Sequence, residues 1–272
     1  MAISDKLTAK LKDASLVTDT ALIGGEWCAK SDSGKTFEVT NPSTGEHVAT
    51  LPDMGRAEAA RAVDAAYKAQ KAWAKRPLEE RVQLVLKGVA RLNEMAEVVV
   101  EELAWQMGRP VRYGGEFKGF NERSNYVATI AADALAPLKV ESSDKFERYI
   151  EREPHGVVFV IAPWNYPYMT ALNTIAPALM AGNTVVLKHA SQTLLVGERF
   201  VQAFNEAGVP EDVFMNVFLD HDTTTRLIAA GSFNFINFTG SVEGGRNIER
   251  AAAGTFTGTG LELGGKDPGY VM

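Results

Sequence analysis

Gly156–Tyr166 reads GVVFVIAPWNY. Five apolar residues in succession, Val157–Ile161, mostly β-branched or aromatic, run into Pro163, Trp164 and Asn165. A short run of this kind is the pattern of a strand buried on both faces, as in parallel sheets. Pro163 has no N–H to give to a ladder, so the strand ends there. In open α/β sheets ligands bind beyond the carboxyl ends of the strands. That rule places Trp164 and Asn165 where a site would be built.

Downstream the pattern alternates regularly. Met169–Met180 reads as a helix closed by Ala181-Gly182-Asn183, and Thr184–Lys188 (TVVLK) as a second buried strand. Leu194–Ala207 reads as a helix stopped by Gly208, Val213–Phe218 as a third strand, and Thr223–Ala230 as a helix before Gly231. Phe233–Phe238 (FNFINF) is a fourth strand, Gly245–Ala253 a helix, and Gly260–Leu263 a short fifth strand. Strand–helix alternation at this spacing predicts right-handed crossovers and an α/β fold, a Rossmann-like, doubly wound parallel sheet with flanking helices.

Upstream, residues 1–20 read as a helical arm. Glu26–Ala29 and Phe37–Val39 read as short strands, with turns at Gly24-Gly25 and Asn41–Gly45. From Arg56 the period is helical, with Ala59, Val63, Ala66, Tyr67, Gln70 and Trp73 on one face. One long helix is expected to start near Pro77, which suits a first helical position, and to be ended by Gly108 and Pro110, on the stripe Val82, Val85, Val89, Leu92, Ala96, Val99 and Leu103. Another runs from about Glu116 to Leu135, with Phe117, Phe120, Tyr126, Val127 and Ile130 as core. Leu138–Glu153 breaks the helical pattern and reads as a hairpin turning at Ser142–Lys145, with Phe146–Glu151 as its second strand. Alternation there leaves one face for water or a partner. The expected organisation is thus residues 1–137 as arm, short strands and helices, 138–154 as the hairpin, 155–262 as the βα repeats, and 263–272 as the start of something further.

At 272 residues the chain can bury a substantial core, and 46% hydrophobic with 23% charged residues is ordinary for a globular protein. A net charge of −6 argues against a nucleic-acid partner or an acidic membrane surface. No apolar run approaches a bilayer-spanning length, and the amphipathic start MAISDKLTAKLKD lacks the apolar core of a signal peptide. The one cysteine, Cys28, excludes an intrachain disulfide framework. The expectation is a cytoplasmic protein with no metal site.

Four places can carry chemistry, each with a plainer alternative. Thr239-Gly240-Ser241, with Gly244 and Gly245, lies between a strand and a helix, where glycines admit a ligand to the backbone and the helix start attracts phosphate; alternatively it is a simple Gly-rich turn. Lys188, closing a strand, either snorkels to water or bonds a cofactor ribose. Asn165 is either a turn residue or an oxyanion donor, and Trp164 reads first as a core residue. Glu262, between two leucines at a strand end, is either a partly desolvated general base of raised pKa or an exposed carboxylate paired with Lys266.

Together IAPWNYP (Ile161–Pro167), VVLKHAS (Val185–Ser191), FTGS (Phe238–Ser241) with Gly245, and LELGGK (Leu261–Lys266), in this order and spacing, resemble the NAD(P)-dependent aldehyde dehydrogenase superfamily. Asn41–Gly45 also looks like the family's N-terminal region. The resemblance covers nearly the whole chain, which amounts to a little over half of the family's length. It implies that Asn165 holds an oxyanion and Glu262 activates a deacylating water. It also implies that Ile161, Pro163, Trp164, Lys188, Ser191, Gly240, Ser241, Gly245 and Leu263 surround NAD or NADP. Lys188 looks like the ribose ligand, Ser241 like the pyrophosphate contact, and the 138–154 hairpin like an oligomerisation element.

Three departures from the family pattern stand out. The family's cysteine nucleophile lies well beyond the Glu262 position, whereas this sequence continues for ten residues past it; Cys28 matches nothing catalytic. Many NAD-preferring members carry Glu where Ser191 stands, so NADP is admitted beside NAD. Leu219-Asp220-His221-Asp222 replaces a frequent Gly-rich turn, and its acids either weaken adenine-side binding or are simply solvated. The implied function is NAD(P)-dependent oxidation of an aldehyde, with the nucleophile supplied by a missing half. The alternatives are a non-catalytic cofactor-binding or assembly module, or an inert truncated fragment. A chain of this kind is expected to self-associate through the hairpin or through exposed sheet surface.

Overall fold

The computed structural model describes residues 21–23, 26–28 and 31–272. The expected arm over 1–20 and the Gly24-Gly25 turn lie outside them. β1 (Ala21–Ile23) and β2 (Glu26–Cys28) pair antiparallel. β3 (Lys35–Thr40) and β4 (His47–Asp53) form a second antiparallel pair. They meet at the expected turn, where Asn41 Oδ1 accepts from the Ser43 N–H at 2.9 Å and Gly45 takes φ 73°.

α1 (Arg56–Ala74) buries Ala59, Ala62, Val63, Ala66 and Trp73, while Tyr67 stands at its rim. The long second helix is in fact two, α2 (Leu78–Glu94) and α3 (Ala96–Met107), with Pro77 the residue before the first turn rather than within it. The break is Met95, whose N–H reaches back three residues to Leu92 and whose ψ of 8° leaves the helical range. Leu92, Met95 and Val99 are all buried, so the apolar stripe runs through the bend and hides it from periodicity.

α4 (Phe117–Leu135) buries Phe120, Ser124 and Ala131. Tyr126 and Ile130, expected in the core, lie off that stripe and are exposed. Ala136 leaves the helix in extended conformation, as the residue before Pro137 must. The hairpin is present but short: β5 (Leu138–Lys139) pairs with β6 (Tyr149–Ile150), and Ser143 bridges to Phe146 across the turn.

The remaining elements are β7 (Val157–Ile161), α5 (Pro167–Met180), β8 (Thr184–Lys188), α6 (Leu195–Glu206), β9 (Phe214–Asn216), α7 (His221–Ala229), β10 (Phe235–Gly240), α8 (Val242–Ala252) and β11 (Gly258–Leu263). The five strands make one parallel sheet in the order β11-β10-β7-β8-β9, with β7 buried at its centre. The chain winds outward from β7 through β8 to β9, then returns to the other side of β7 with β10 and β11. Strand order therefore reverses between β7 and β10, and the carboxyl ends of these two strands frame the crevice where such sheets bind ligands.

Several boundaries move for identifiable reasons. β9 stops at Asn216 because the Phe218 carbonyl instead takes the Met54 N–H at 2.8 Å, docking the β3–β4 hairpin on the sheet end. β10 begins two residues late, at Phe235: the Asn234 N–H donates to the Val157 carbonyl at 3.0 Å, and the Val157 N–H goes to the Asn234 side chain, Oδ1 accepting it at 2.8 Å. Phe200 sits at the centre of an aromatic cluster, 5.2 Å from Tyr168, 5.9 Å from Phe120 and 6.1 Å from Phe214 between ring centres, so α4, α5, α6 and β9 share one core. Among the described residues no helix is long and apolar enough to cross a membrane.

Candidate active site

A cleft of about 980 Å³ opens at the carboxyl ends of β7, β8, β10 and β11. Ile161, Pro163, Trp164, Asn165, Lys188, Ser191, Gly240, Ser241, Glu262 and Leu263 all line it. Gly245 does not. A Cβ there would come within 2.6 Å of the Leu263 side chain, so this glycine lets α8 lie on β11. A Cβ on Gly240 or Gly244 would likewise meet the Phe238 ring, at 2.7 and 2.6 Å. These glycines therefore serve packing, and Gly240 also lines the cleft.

The Pro163–Pro167 corner is braced from outside the sheet. Arg109 Nη2 donates to the Asn165 carbonyl at 2.6 Å and Nη1 to Glu116 at 2.8 Å, while the guanidinium lies 5.1 Å from the Tyr166 ring centre. The other Glu116 oxygen accepts the Met169 N–H at 2.7 Å. Burial pushes the Glu116 carboxyl above its usual range, and the hydrogen bonds from Met169 and Arg109 oppose it. Asn165 Oδ1 accepts the Tyr166 N–H at 2.9 Å, which turns the amide NH₂ of this exposed side chain outward as a donor. Trp164 is 48% exposed, a cleft residue and not the core residue it first suggests.

Lys188 is only 6% exposed, so it does not snorkel. Burial lowers its pKa to about 8, against the pull of Asp220 and Asp53. Burial, then the neighbouring Asp220, hold the Asp53 carboxyl above its ordinary value, and its Oδ1 is buried without a hydrogen bond among the described residues. Asp220 caps α7 by accepting the Thr223 N–H at 2.6 Å, which holds its pKa down. Next to Lys188, fully buried His189 accepts from the Ala190 N–H at 3.0 Å and the Thr193 hydroxyl at 2.9 Å on Nδ1. That leaves the proton on Nε2, 3.3 Å from the Pro167 carbonyl. Burial keeps this imidazole neutral, with a pKa of about 4. His189 thereby ties the end of β8 to the start of α5.

Ser241 caps α8, its Oγ accepting the Gly244 N–H at 3.0 Å and its own hydroxyl hydrogen remaining free to donate. Glu262 pairs in register with Thr239 on β11 but is exposed, so the desolvation expected from its flanking leucines is absent: strand alternation sends Leu261 toward the core and leaves Glu262 on the open side. Nor, among the described residues, is it paired with Lys266. The strand carrying Cys28 pairs with β1, which touches β9, at the sheet edge opposite β11. Among the described residues no cysteine lines the cleft.

A family model described as the aldehyde dehydrogenase family matches residues 27–272. The chain belongs to the aldehyde dehydrogenase family. It is 35% identical over 266 residues to a 3-sulfolactaldehyde dehydrogenase of Pseudomonas putida, covering 97% of this chain and 54% of that one. It is 33% identical to a glutarate-semialdehyde dehydrogenase of the same species, covering 97% and 55%. It superposes with a TM-score of 0.84 on an NADP-dependent glyceraldehyde-3-phosphate dehydrogenase from Bacillus halodurans complexed with NADP, at 32% identity over 93% of this chain and 54% of that one. A NAD-dependent benzaldehyde dehydrogenase from Corynebacterium glutamicum gives 0.85 at 30% identity, covering 92% and 55%. The chain spans about half the length of the curated relatives it matches. These family members use NAD or NADP, and the donor set of the cleft suits such a cofactor: a buried ammonium, a free hydroxyl and the start of an 11-residue helix at one crevice.

Proposed function

We propose that this chain supplies the cofactor-binding half of an NAD(P)-dependent oxidation of an aldehyde to a carboxylate. What carries the reading is the continuity of one cleft holding Asn165, Lys188, Ser241 and Glu262 at the reversal of strand order. A nicotinamide bound there accepts a hydride from the substrate carbon. Lys188 bonds the adenosine ribose. The Ser241 hydroxyl and the first N–H groups of α8 receive the pyrophosphate. The Asn165 amide, held by the Arg109 brace, donates to the substrate carbonyl oxygen. Glu262, open to solvent, takes the proton of the attacking water. The nucleophile comes from a catalytic half that covers the cleft, since among the described residues no thiol lines it.

Calorimetric titration of the chain with NAD and with NADP tests this. Saturable but weak binding is expected, because the nicotinamide end of the cleft is open on its β11 side. The chain mixed with an aldehyde and either cofactor should give no growth of reduced-nicotinamide absorbance. If neither cofactor gives heat at millimolar concentration, the reading is wrong.

The same reading includes self-association. Leu138, Val140, Phe146, Tyr149 and Ile150 of the hairpin are all exposed, as are the β11 edge and Phe256. Exposed apolar side chains beside an unpaired strand edge favour association. Sedimentation velocity is expected to show a concentration-dependent shift toward larger species; a lone monomer at every concentration would refute it.

A further inference from the structure

In a doubly wound sheet the adenosine ribose lies past the end of the strand that follows the first βα unit. Here that strand is β8, ending in Lys188, with Ser191 three residues on at the cleft wall. A 2′-phosphate on that ribose would need a cation or an open helix start. Lys188 is the one lysine or arginine among the described residues that line the cleft. One helix start that opens on the cleft is that of α7, nine residues long. It is already filled by the Asp220 carboxylate, which accepts the Thr223 N–H at 2.6 Å. Asp53, 7% exposed, lies on the hairpin side of Lys188 and acts on it electrostatically together with Asp220.

One buried cation thus faces two carboxylates at this end of the cleft. A ribose diol fits such a pair, because a hydroxyl accepts from an ammonium and donates to a carboxylate. A phosphate dianion can only accept, and it would sit beside the Asp220 carboxylate with no lysine or arginine but Lys188 in the described lining. Lys35, on β3 outside that lining, and His221 act on Asp220 electrostatically and hold it in its charged form.

We infer that Asp220 makes this cleft select a cofactor with an unphosphorylated adenosine ribose, so that the chain takes NAD in preference to NADP. This rests on the cofactor-site reading above and narrows it. Ser191 leaves the 2′ position open on one side, and Asp220 closes it from the other.

The test is calorimetry on the full chain with NAD, NADP, ADP-ribose and 2′-phospho-ADP-ribose, at one low ionic strength. At least tenfold tighter binding of each unphosphorylated member is expected. Asp220→Asn and Asp220→Ser both retain a helix-capping oxygen while removing the charge. In both, the gap is expected to shrink to threefold or less, chiefly through tighter binding of the phosphorylated ligands. Equal or tighter binding of NADP by the parent chain overturns the inference and leaves the cofactor site standing. An unchanged gap in both folded variants, verified by circular dichroism, overturns the assignment to Asp220. Failure of all four ligands to bind overturns the cofactor site and the inference with it.

Discussion

Replacing Lys188 by Met is expected to remove cofactor binding and, at pH 7, to make the fold more stable. The ammonium closes a buried strand and is 6% exposed. Burial lowers its pKa from 10.5 to about 8, a cost that Asp220 and Asp53 reduce but do not cancel. A difference of that size corresponds to roughly 3 kcal/mol held against the folded state at pH 7. Methionine fills similar volume without the charge, but it leaves Asp53 and Asp220 without their cation, so the net gain is expected at about 1–3 kcal/mol.

The sign of the pH dependence follows from proton binding. Between about pH 8 and 10.5 the unfolded chain keeps the Lys188 proton and the folded chain does not. The unfolded state binds more protons, so parent stability contributed by this group rises with pH through that window. The advantage of Lys188→Met should therefore be full below pH 8 and fade by pH 10.5. Urea midpoints of both proteins at pH 7 and pH 10, with calorimetry for binding, measure it. A Met variant less stable than its parent at pH 7 would mean that the two acids outweigh burial.

The second large effect concerns Arg199 and Glu102, 1% and 0% exposed in side chain, which join α6 to α3. Arg199 Nε donates to Glu102 at 2.8 Å, and a second guanidinium nitrogen bonds the other carboxylate oxygen. Burial raises the Glu102 pKa, and Arg199 counters it. Arg199→Met alone leaves a buried carboxylate without its cation and is expected to cost about 3–5 kcal/mol. The double variant Glu102→Leu with Arg199→Met removes both charges and should recover most of that loss, since the pair's attraction roughly offsets its desolvation. Chemical denaturation of the two variants checks it. A single variant within about 1 kcal/mol of the parent would show that the carboxyl takes a proton at little cost.

Much of the fold was legible because its signals are local. Val157–Ile161 and Thr184–Lys188 are short runs that only a doubly covered strand can use, and both are buried at every residue. The Met95 break was not legible, because the buried stripe passes straight through it. Tyr126 and Ile130 were misplaced because two apolar residues at helical spacing say nothing about which neighbour will arrive to cover them.

The same division runs through the site. Strand alternation and turn chemistry alone put Asn165, Lys188, Ser241 and Glu262 at strand ends on one edge of a sheet, so their meeting followed from the order of the residues. The charge environment did not. Arg109 braces a carbonyl 56 positions away, and Asp53, next to the Met54 N–H that bonds the Phe218 carbonyl, acts on Lys188 from a distant hairpin. The buried neutrality of His189, the depressed pKa of Lys188 and the openness of Glu262 depend on how much solvent the assembled elements exclude. Desolvation is a property of the packed molecule, set by groups distant in the chain, and no stretch of sequence carries it by itself.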